Sequence, residues 1–472
     1  IRAGKFDQKQ GRGGDKGTEA IPTLAAVVPV SPTPPISLSP PLPVSLSPAI
    51  AHNLPGQRLP FIGREAELAD IARLLAEDDD CRLLTLIGPG GMGKTRLAIK
   101  AAEQIVAMPA SRQRFRDGVF FVSLENVGDA NGLISAIISA IVAESGFPLR
   151  SDAPLLDQLL YFLQSKVLLL VLDNFEHLIT YAEVCSTLLA AAPQVKILVT
   201  SREALTLQEA WFYPLLGLSF PQTPAEQEAA EEYDAVRLFI QCARRTRPAF
   251  TFAAERAAVL EICALVEGMP LGLELAAAWL KIMNCEQIAQ EVTRGLDFLT
   301  SRYQNLPLRH RSMRVVMEHS WLLLNAEEQA VIARLAVFRG KFRQEAAIQI
   351  TGASLFTLVT LVEKALLRVT NDGFYQLHEL TRQFAEEQLS NTERIALRDR
   401  HATYYAGLLD QQRPQLFTSA FRQAWTVVGG ELDNIRHAWQ WLIATADAAP
   451  SGGRSLGVNA LPLPALLRQM AE

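Results

Sequence analysis

Eight consecutive residues, Gly88-Pro89-Gly90-Gly91-Met92-Gly93-Lys94-Thr95, fit the pattern GxxxxGK[ST], whose chemistry is a grip on nucleotide phosphates. Gly88, Gly90, Gly91 and Gly93 let backbone N–H groups curl around the oxygens, and the helix that follows adds positive potential at its N-terminus. Lys94 reaches the β and γ oxygens, and Thr95 offers a hydroxyl to Mg²⁺. Arg96 is grouped with these binding residues. The pattern lies between a β-rich run, Arg82 to Ile87, and a helical pattern beginning near Lys94, where the mechanism needs it.

The metal needs a carboxylate, and the apolar run Leu168 to Leu172 ends in Asp173, about eighty residues beyond the loop. Asp173 is read as a second metal ligand, direct or through water. Many hydrolysing P-loop enzymes place an acid next, to orient water; here the residue is Asn174, with Glu176 the nearest carboxylate. Asn174 orients water by hydrogen bonding but takes no proton, so slow turnover is expected. A further run, Lys196 to Val199, leads into Thr200-Ser201-Arg202, which places Arg202 at the same sheet edge as Asp173, within reach of a γ-phosphate. Read alone, Arg202 is a surface ion-pair residue and Glu176-His177 a solvated helix start.

Positioning these residues requires a parallel sheet. Arg82–Ile87, Val119–Leu124, Val167–Leu172 and Val195–Val199 are short β-rich runs separated by helical patterns, which implies helices on both faces. Past about Leu218 the strands give way to helical spacing over Tyr233–Ala243, Ala254–Val266 and Leu271–Ile282. After Leu306, helical patterns at Ser312–Leu324 and Glu327–Val337 precede Leu366–Val369, an Asn371-Asp372-Gly373 turn and Phe374–Leu377, a hairpin that reads as a winged helix. Arg394 to Leu442 is again helical.

Upstream, nine of the 26 prolines lie between Ile21 and Ala51, interleaved with serine, so that segment is expected to be an extended linker. Its basic start and apolar run to Val30 imitate a secretory signal, but Pro22 and Pro29 break the run, and no membrane span is expected. With 472 residues and net charge −5, the chain carries several domains and lacks the charge of a nucleic-acid or anionic-membrane binder. Five scattered cysteines without a CxxC pair fit a reducing cytoplasm and argue against a zinc site. Residues 301–390 hold eleven Lys/Arg against nine Asp/Glu, too mild for a DNA-binding face, although Arg309, Arg311 and Arg314 form a small cluster. A metabolic kinase would need an acceptor pocket, and the residues after the sheet offer helices instead.

Five ordered motifs, Phe61-Ile62-Gly63-Arg64-Glu65, Leu172-Asp173-Asn174-Phe175-Glu176-His177-Leu178, Thr200-Ser201-Arg202, Gly268-Met269-Pro270-Leu271 and Leu377-His378-Glu379, together resemble the STAND ATPases, especially AfsR-like regulators and their NB-ARC relatives. The resemblance runs from about Asn53 to Leu442. It implies an α/β P-loop NTPase domain with a parallel sheet (57–217), a helical domain (218–305), a winged helix (306–390) and the start of an α-helical, tetratricopeptide-like repeat array (391–472), after a linker at 1–56. Glu431-Leu432-Asp433-Asn434-Ile435-Arg436 resembles the segment that opens such repeats. It also implies that Gly63, Arg64 and Pro270 border the adenine and that His378 contacts the β-phosphate of ADP. Leu377 and Glu379 depart from the outer letters of the family's histidine motif. Pro270 is also in place for a plain first helical position, and His378 for a packed structural residue. The function implied is an ATP/ADP switch: closed with ADP, and opened by an inducer at the repeats for self-association, with DNA contacted only through an upstream domain.

Overall fold

Five apolar runs form one parallel sheet in the computed structural model, which describes residues 50–57, 59–108, 111–145, 153–300, 311–415, 418 and 421–447. The strands are β1 (Leu83–Ile87), β2 (Gly118–Ser123), β3 (Leu168–Asp173), β4 (Lys196–Ser201) and β5 (Ala210–Pro214), in the order β2-β3-β4-β1-β5. β1, β3 and β4 are buried along their whole length, as central strands between two helical layers must be. Alternate side chains feed opposite cores. Leu84, Leu86, Val171 and Leu198 pack with Leu97, Ala98 and Ala101 of helix Lys94–Ala107, whereas Leu83, Leu170, Leu172 and Val199 pack with Leu133, Ile137 and Leu188 on the other face.

Register sets the site. β4 lies between β1 and β3 and pairs Ser201 with Ile87 and Val199 with Leu172. One residue further along each strand, Arg202 comes beside the phosphate loop and Thr200 beside Asp173.

One sequence expectation needs correction, and one strand is additional. The linker does not run to residue 56: Ile50 is buried, His52 bridges Val119 in parallel, and the Asn53 carboxamide accepts from Phe121 N at 2.6 Å and donates to Phe121 O at 2.9 Å, so residues 50–53 line the edge of β2. The proline-rich part before residue 50 lies outside the described residues. β5 was not foreseen, because Ala210-Trp211-Phe212-Tyr213-Pro214 ends in proline and pairs as a half-exposed edge strand.

Helices Asp234–Thr246, Phe252–Leu265, Pro270–Ala278 and Cys285–Arg294 follow, and their apolar faces join the core beneath the phosphate-binding helix. Next come helices Met313–Trp321 and Ala326–Leu335, strand β6 (Lys341–Phe342), helices Gln344–Thr351 and Leu355–Glu363, and a hairpin of β7 (Leu367–Val369) and β8 (Tyr375–Leu377). These three short strands pair antiparallel in the order β6-β8-β7, with Gly373 in the left-handed conformation at the turn. Met313, Val316 and Met317 nevertheless join the core of the nucleotide sheet. Helices Asn391–Gln412 and Leu432–Asp447 pack against each other, and Leu397, Tyr405, Val428 and Ile435 share one core with Phe338, Phe342 and Leu358. Among the described residues no single helix is long and apolar enough to cross a membrane.

Candidate nucleotide-binding site

The loop from Gly88 to Gly93 crosses from β1 to helix Lys94–Ala107, with Gly91 and Gly93 at φ 84° and 85°, a conformation costly for any side chain with a Cβ. A Cβ at Gly90 would stand 2.5 Å from Val316 Cγ1, and one at Gly91 would stand 3.1 Å from Leu271 Cβ. The cradle is therefore closed in by side chains of helices Met313–Trp321 and Pro270–Ala278. Lys94 donates to Gly88 O at 2.6 Å and to Pro89 O at 3.0 Å, lying back along the loop. Desolvation brings its ammonium down to about 8, with Glu176 opposing the shift.

Thr95 Oγ1 donates to Asp173 Oδ1 at 2.6 Å, so the two expected metal ligands stand together. Thr200 Oγ1 donates to the same oxygen at 2.6 Å and accepts from Asn174 N at 3.0 Å. Thr200, missed by the sequence reading, thus fixes both Asp173 and the backbone after it. Burial raises the Asp173 carboxyl above its ordinary value, and the Thr200 and Thr95 hydroxyls oppose the rise. Asn174 has φ 67°, in the left-handed region that asparagine tolerates better than glutamate does.

Arg202 Nε lies 3.1 Å from Glu176 Oε1, with both side chains nearly buried. Glu176, read as a second candidate for orienting water, faces this guanidinium. Arg202 Nη1 also donates to Val316 O at 3.2 Å and Ser320 Oγ at 2.9 Å, on helix Met313–Trp321. Two residues on, Ala204 N donates to Glu363 O at 2.9 Å, and Glu203 stands 3.9 Å from Lys364 Nζ. The turn after β4 is thus joined to two helices that follow the helical segment.

Pro270 occupies the first position of helix Pro270–Ala278, and its Cγ lies 3.9 Å from where a Gly93 Cβ would stand. The adjoining Leu271 N donates to Gly91 O at 3.3 Å. His378 is the N-cap of helix Glu379–Glu387: its Nδ1 accepts from Leu380 N at 3.2 Å, while its buried Nε2 has no hydrogen-bond partner. Burial lowers the imidazole's proton affinity, and Glu267 opposes this. The glycine loop and the Thr95–Asp173 pair suit a nucleotide with a divalent cation, and the orphan nitrogen of His378 is a buried polar atom left for a further partner.

Two expected adenine neighbours and Arg96 have other partners. Arg64, at φ 68°, is buried with its guanidinium 2.6 Å from both Glu67 Oε1 and Leu216 O, and Gly63 packs directly on the Asp234 side chain. Arg96 donates to Leu59 O and Pro60 O at 3.1 and 2.9 Å, clamping the lead-in segment to its helix. Of the small basic cluster, Arg309 lies outside the described residues, and Arg314 is paired with Asp297 and Glu387.

A parallel sheet in this order, with the glycine loop after β1 and an aspartate ending β3, defines a P-loop NTPase. The NB-ARC domain model matches residues 64–209. An uncharacterized protein of Mycobacterium tuberculosis is 32% identical over 360 residues, covering 73% of this chain and 85% of its own length. A putative HTH-type transcriptional regulator of the same organism is 32% identical over 386 residues, covering 78% of this chain and 40% of its own length. This chain belongs to the NB-ARC family of STAND-class P-loop ATPases. It spans about 40% of the length of the curated regulators it matches. A STAND protein with a tetratricopeptide repeat sensor from Pyrococcus horikoshii superposes with a TM-score of 0.27 at 18% identity, covering 82% of this chain and 54% of that one, a likeness too low to carry any geometry.

Proposed function

We propose that this chain is the nucleotide-operated core of a cytoplasmic bacterial signalling or transcriptional regulator. ADP holds the sheet, helical segment and winged helix closed; exchange for ATP, with an inducer acting through the helical repeats, releases them for self-association. Lys94 and the glycine loop bind the phosphates, Thr95 and Asp173 hold Mg²⁺, and His378 contacts the β-phosphate. Bound Mg²⁺ supplies charge neutralisation at the phosphates. Gly63, Arg64 and Pro270 line the base side, Arg64 through its backbone because its guanidinium is engaged. Arg96 supports the phosphate helix from behind.

One observation carries the reading: Arg202, at the sheet edge beside Gly90, is shared between Glu176 and the winged-helix side at Val316 and Ser320. A γ-phosphate that draws Arg202 toward itself competes with those contacts, which gives ATP and ADP different affinities for the closed state. Without that difference no ligand shifts the equilibrium. Turnover is slow because Asn174 offers no base.

DNA reading by the winged helix is the weaker alternative. The helix before its hairpin, Leu355–Glu363, exposes Leu355, Phe356 and Val359 and carries no cation, so it suits neither phosphates nor base edges. DNA contact is therefore assigned to a part of the protein outside this chain. The test is equilibrium binding of ADP and ATP with Mg²⁺ to the wild type and to Lys94→Ala. Wild-type binding lost in the variant, with unchanged thermal unfolding, supports the reading; equal affinity in both overturns it.

A further inference from the structure

Glu267 is a strained residue. It has φ 45° at the end of helix Phe252–Leu265, and its backbone is fixed there by Glu267 N donating to Ala264 O at 3.0 Å and the next amide, Gly268 N, donating to Cys263 O at 2.9 Å. A non-glycine residue held left-handed persists only where its surroundings impose it, and such residues collect at functional sites. The Glu267 side chain leaves its own segment for the winged helix: Oε1 accepts from Glu379 N at 2.7 Å, and Oε2 lies 3.8 Å from Arg368.

Glu379 N is the first amide of the helix that His378 caps. Two side chains therefore share that helix start. Glu267 takes the first amide and His378 Nδ1 takes the second, at Leu380. A carboxylate at a helix N-terminus is favoured by the helix dipole as well as by the hydrogen bond. Because Nδ1 accepts a hydrogen bond, a neutral His378 carries its proton on Nε2. That N–H is the buried donor without a partner. Two residues beyond Glu267, Met269 begins the stretch that packs on Gly91, so one segment touches the phosphate loop and also anchors the helix bearing His378.

We infer that Glu267 is the positioning residue for His378: reaching across from the helical segment, it pins the helix start so that Nε2–H is presented to a phosphate oxygen of the bound nucleoside diphosphate. This rests on the switch reading above. Glu267 itself touches no nucleotide in this account, and its effect passes through His378.

The test is the dissociation rate of N-methylanthraniloyl-ADP, followed by fluorescence on displacement with excess ADP, for the wild type, Glu267→Gln, Glu267→Ala, His378→Ala and Glu267→Ala/His378→Ala. Glu267→Gln keeps the shape and an acceptor oxygen, so it reports even if the alanine variant folds poorly. Release about threefold faster in Glu267→Gln and about tenfold faster in Glu267→Ala is expected, from loss of a charge-assisted bond. The double variant should release no faster than His378→Ala alone, because the first residue acts through the second. Wild-type release in both Glu267 variants, or rates in the double variant that multiply, overturns the positioning role while leaving the switch reading intact. Wild-type release in His378→Ala overturns both.

Discussion

The Arg202 guanidinium donates to Ser320 Oγ at 2.9 Å, tying the end of β4 to helix Met313–Trp321 across 118 residues of chain. Arg202 therefore ties helix Met313–Trp321 to the sheet edge, and under the proposed function it serves a γ-phosphate as well. Arg202→Ala should consequently loosen the closed state, not only blind it to ATP. Ser320→Ala separates the two effects, since it removes only the closed-state partner. One such bond contributes about 1.5 kcal/mol, so ADP should leave Ser320→Ala roughly tenfold faster while ATP affinity holds. Stopped-flow release of ADP and titration with ATP check both parts.

Asp173→Ala removes a carboxylate that accepts from both Thr95 and Thr200 at 2.6 Å. Nucleotide affinity measured with Mg²⁺ should drop at least tenfold, and affinity in EDTA should change much less. An equal loss in both conditions would mark Asp173 as structural. Thermal stability should also fall by about 1 to 3 kcal/mol, because the buried Thr200 hydroxyl loses its acceptor.

At position 174 the left-handed backbone decides which acid is informative. Asn174→Asp supplies a carboxylate in a conformation aspartate tolerates, and single-turnover ATP hydrolysis should accelerate. Asn174→Glu should cost about 1 kcal/mol of stability relative to the aspartate variant and gain less turnover. No gain in either variant would point to the closed geometry, rather than the missing acid, as what limits hydrolysis.

Much of this was readable in the residues. Glycines at fixed offsets and fully apolar strands report local needs, so the phosphate loop, Asp173, β1 to β4 and the hairpin around Asn371-Asp372-Gly373 were all expected where they stand. What escaped depended on distant partners. Thr200 matters through a hydroxyl shared with Asp173, and Glu267 through an amide 112 residues away. Arg64 and Arg96 were grouped with nucleotide contacts, yet their guanidiniums are engaged by Leu216 O and by Leu59 O and Pro60 O, which spacing alone does not reveal. Two-residue β6 carries no pattern of its own.

The packing of helices Asn391–Gln412 and Leu432–Asp447 around Phe338 should be acid-sensitive. Burial lowers His401 to about 3 and His437 to about 4, against about 6.5 for an exposed imidazole. Between those values the unfolded chain binds protons that the folded one does not. This contribution to stability is therefore complete above pH 6.5 and is lost as pH falls toward about 4 for His437 and about 3 for His401. At pH 5 the loss is about 2 kcal/mol for His401. His401→Phe, filling the space beside Phe338 and Tyr405, should flatten the fall in unfolding temperature between pH 7.5 and 5. An unchanged slope would place the acid sensitivity elsewhere.

The central claim is that a bound nucleoside diphosphate holds the arrangement in which Arg202 reaches Ser320 and Glu267 reaches Glu379. The most direct measurement is to purify the protein without added nucleotide, denature it and identify what is released by ion-exchange chromatography. The account predicts ADP at close to one per chain, and none from Lys94→Ala. Release of ATP alone, or of no adenine nucleotide, from the wild type would contradict it.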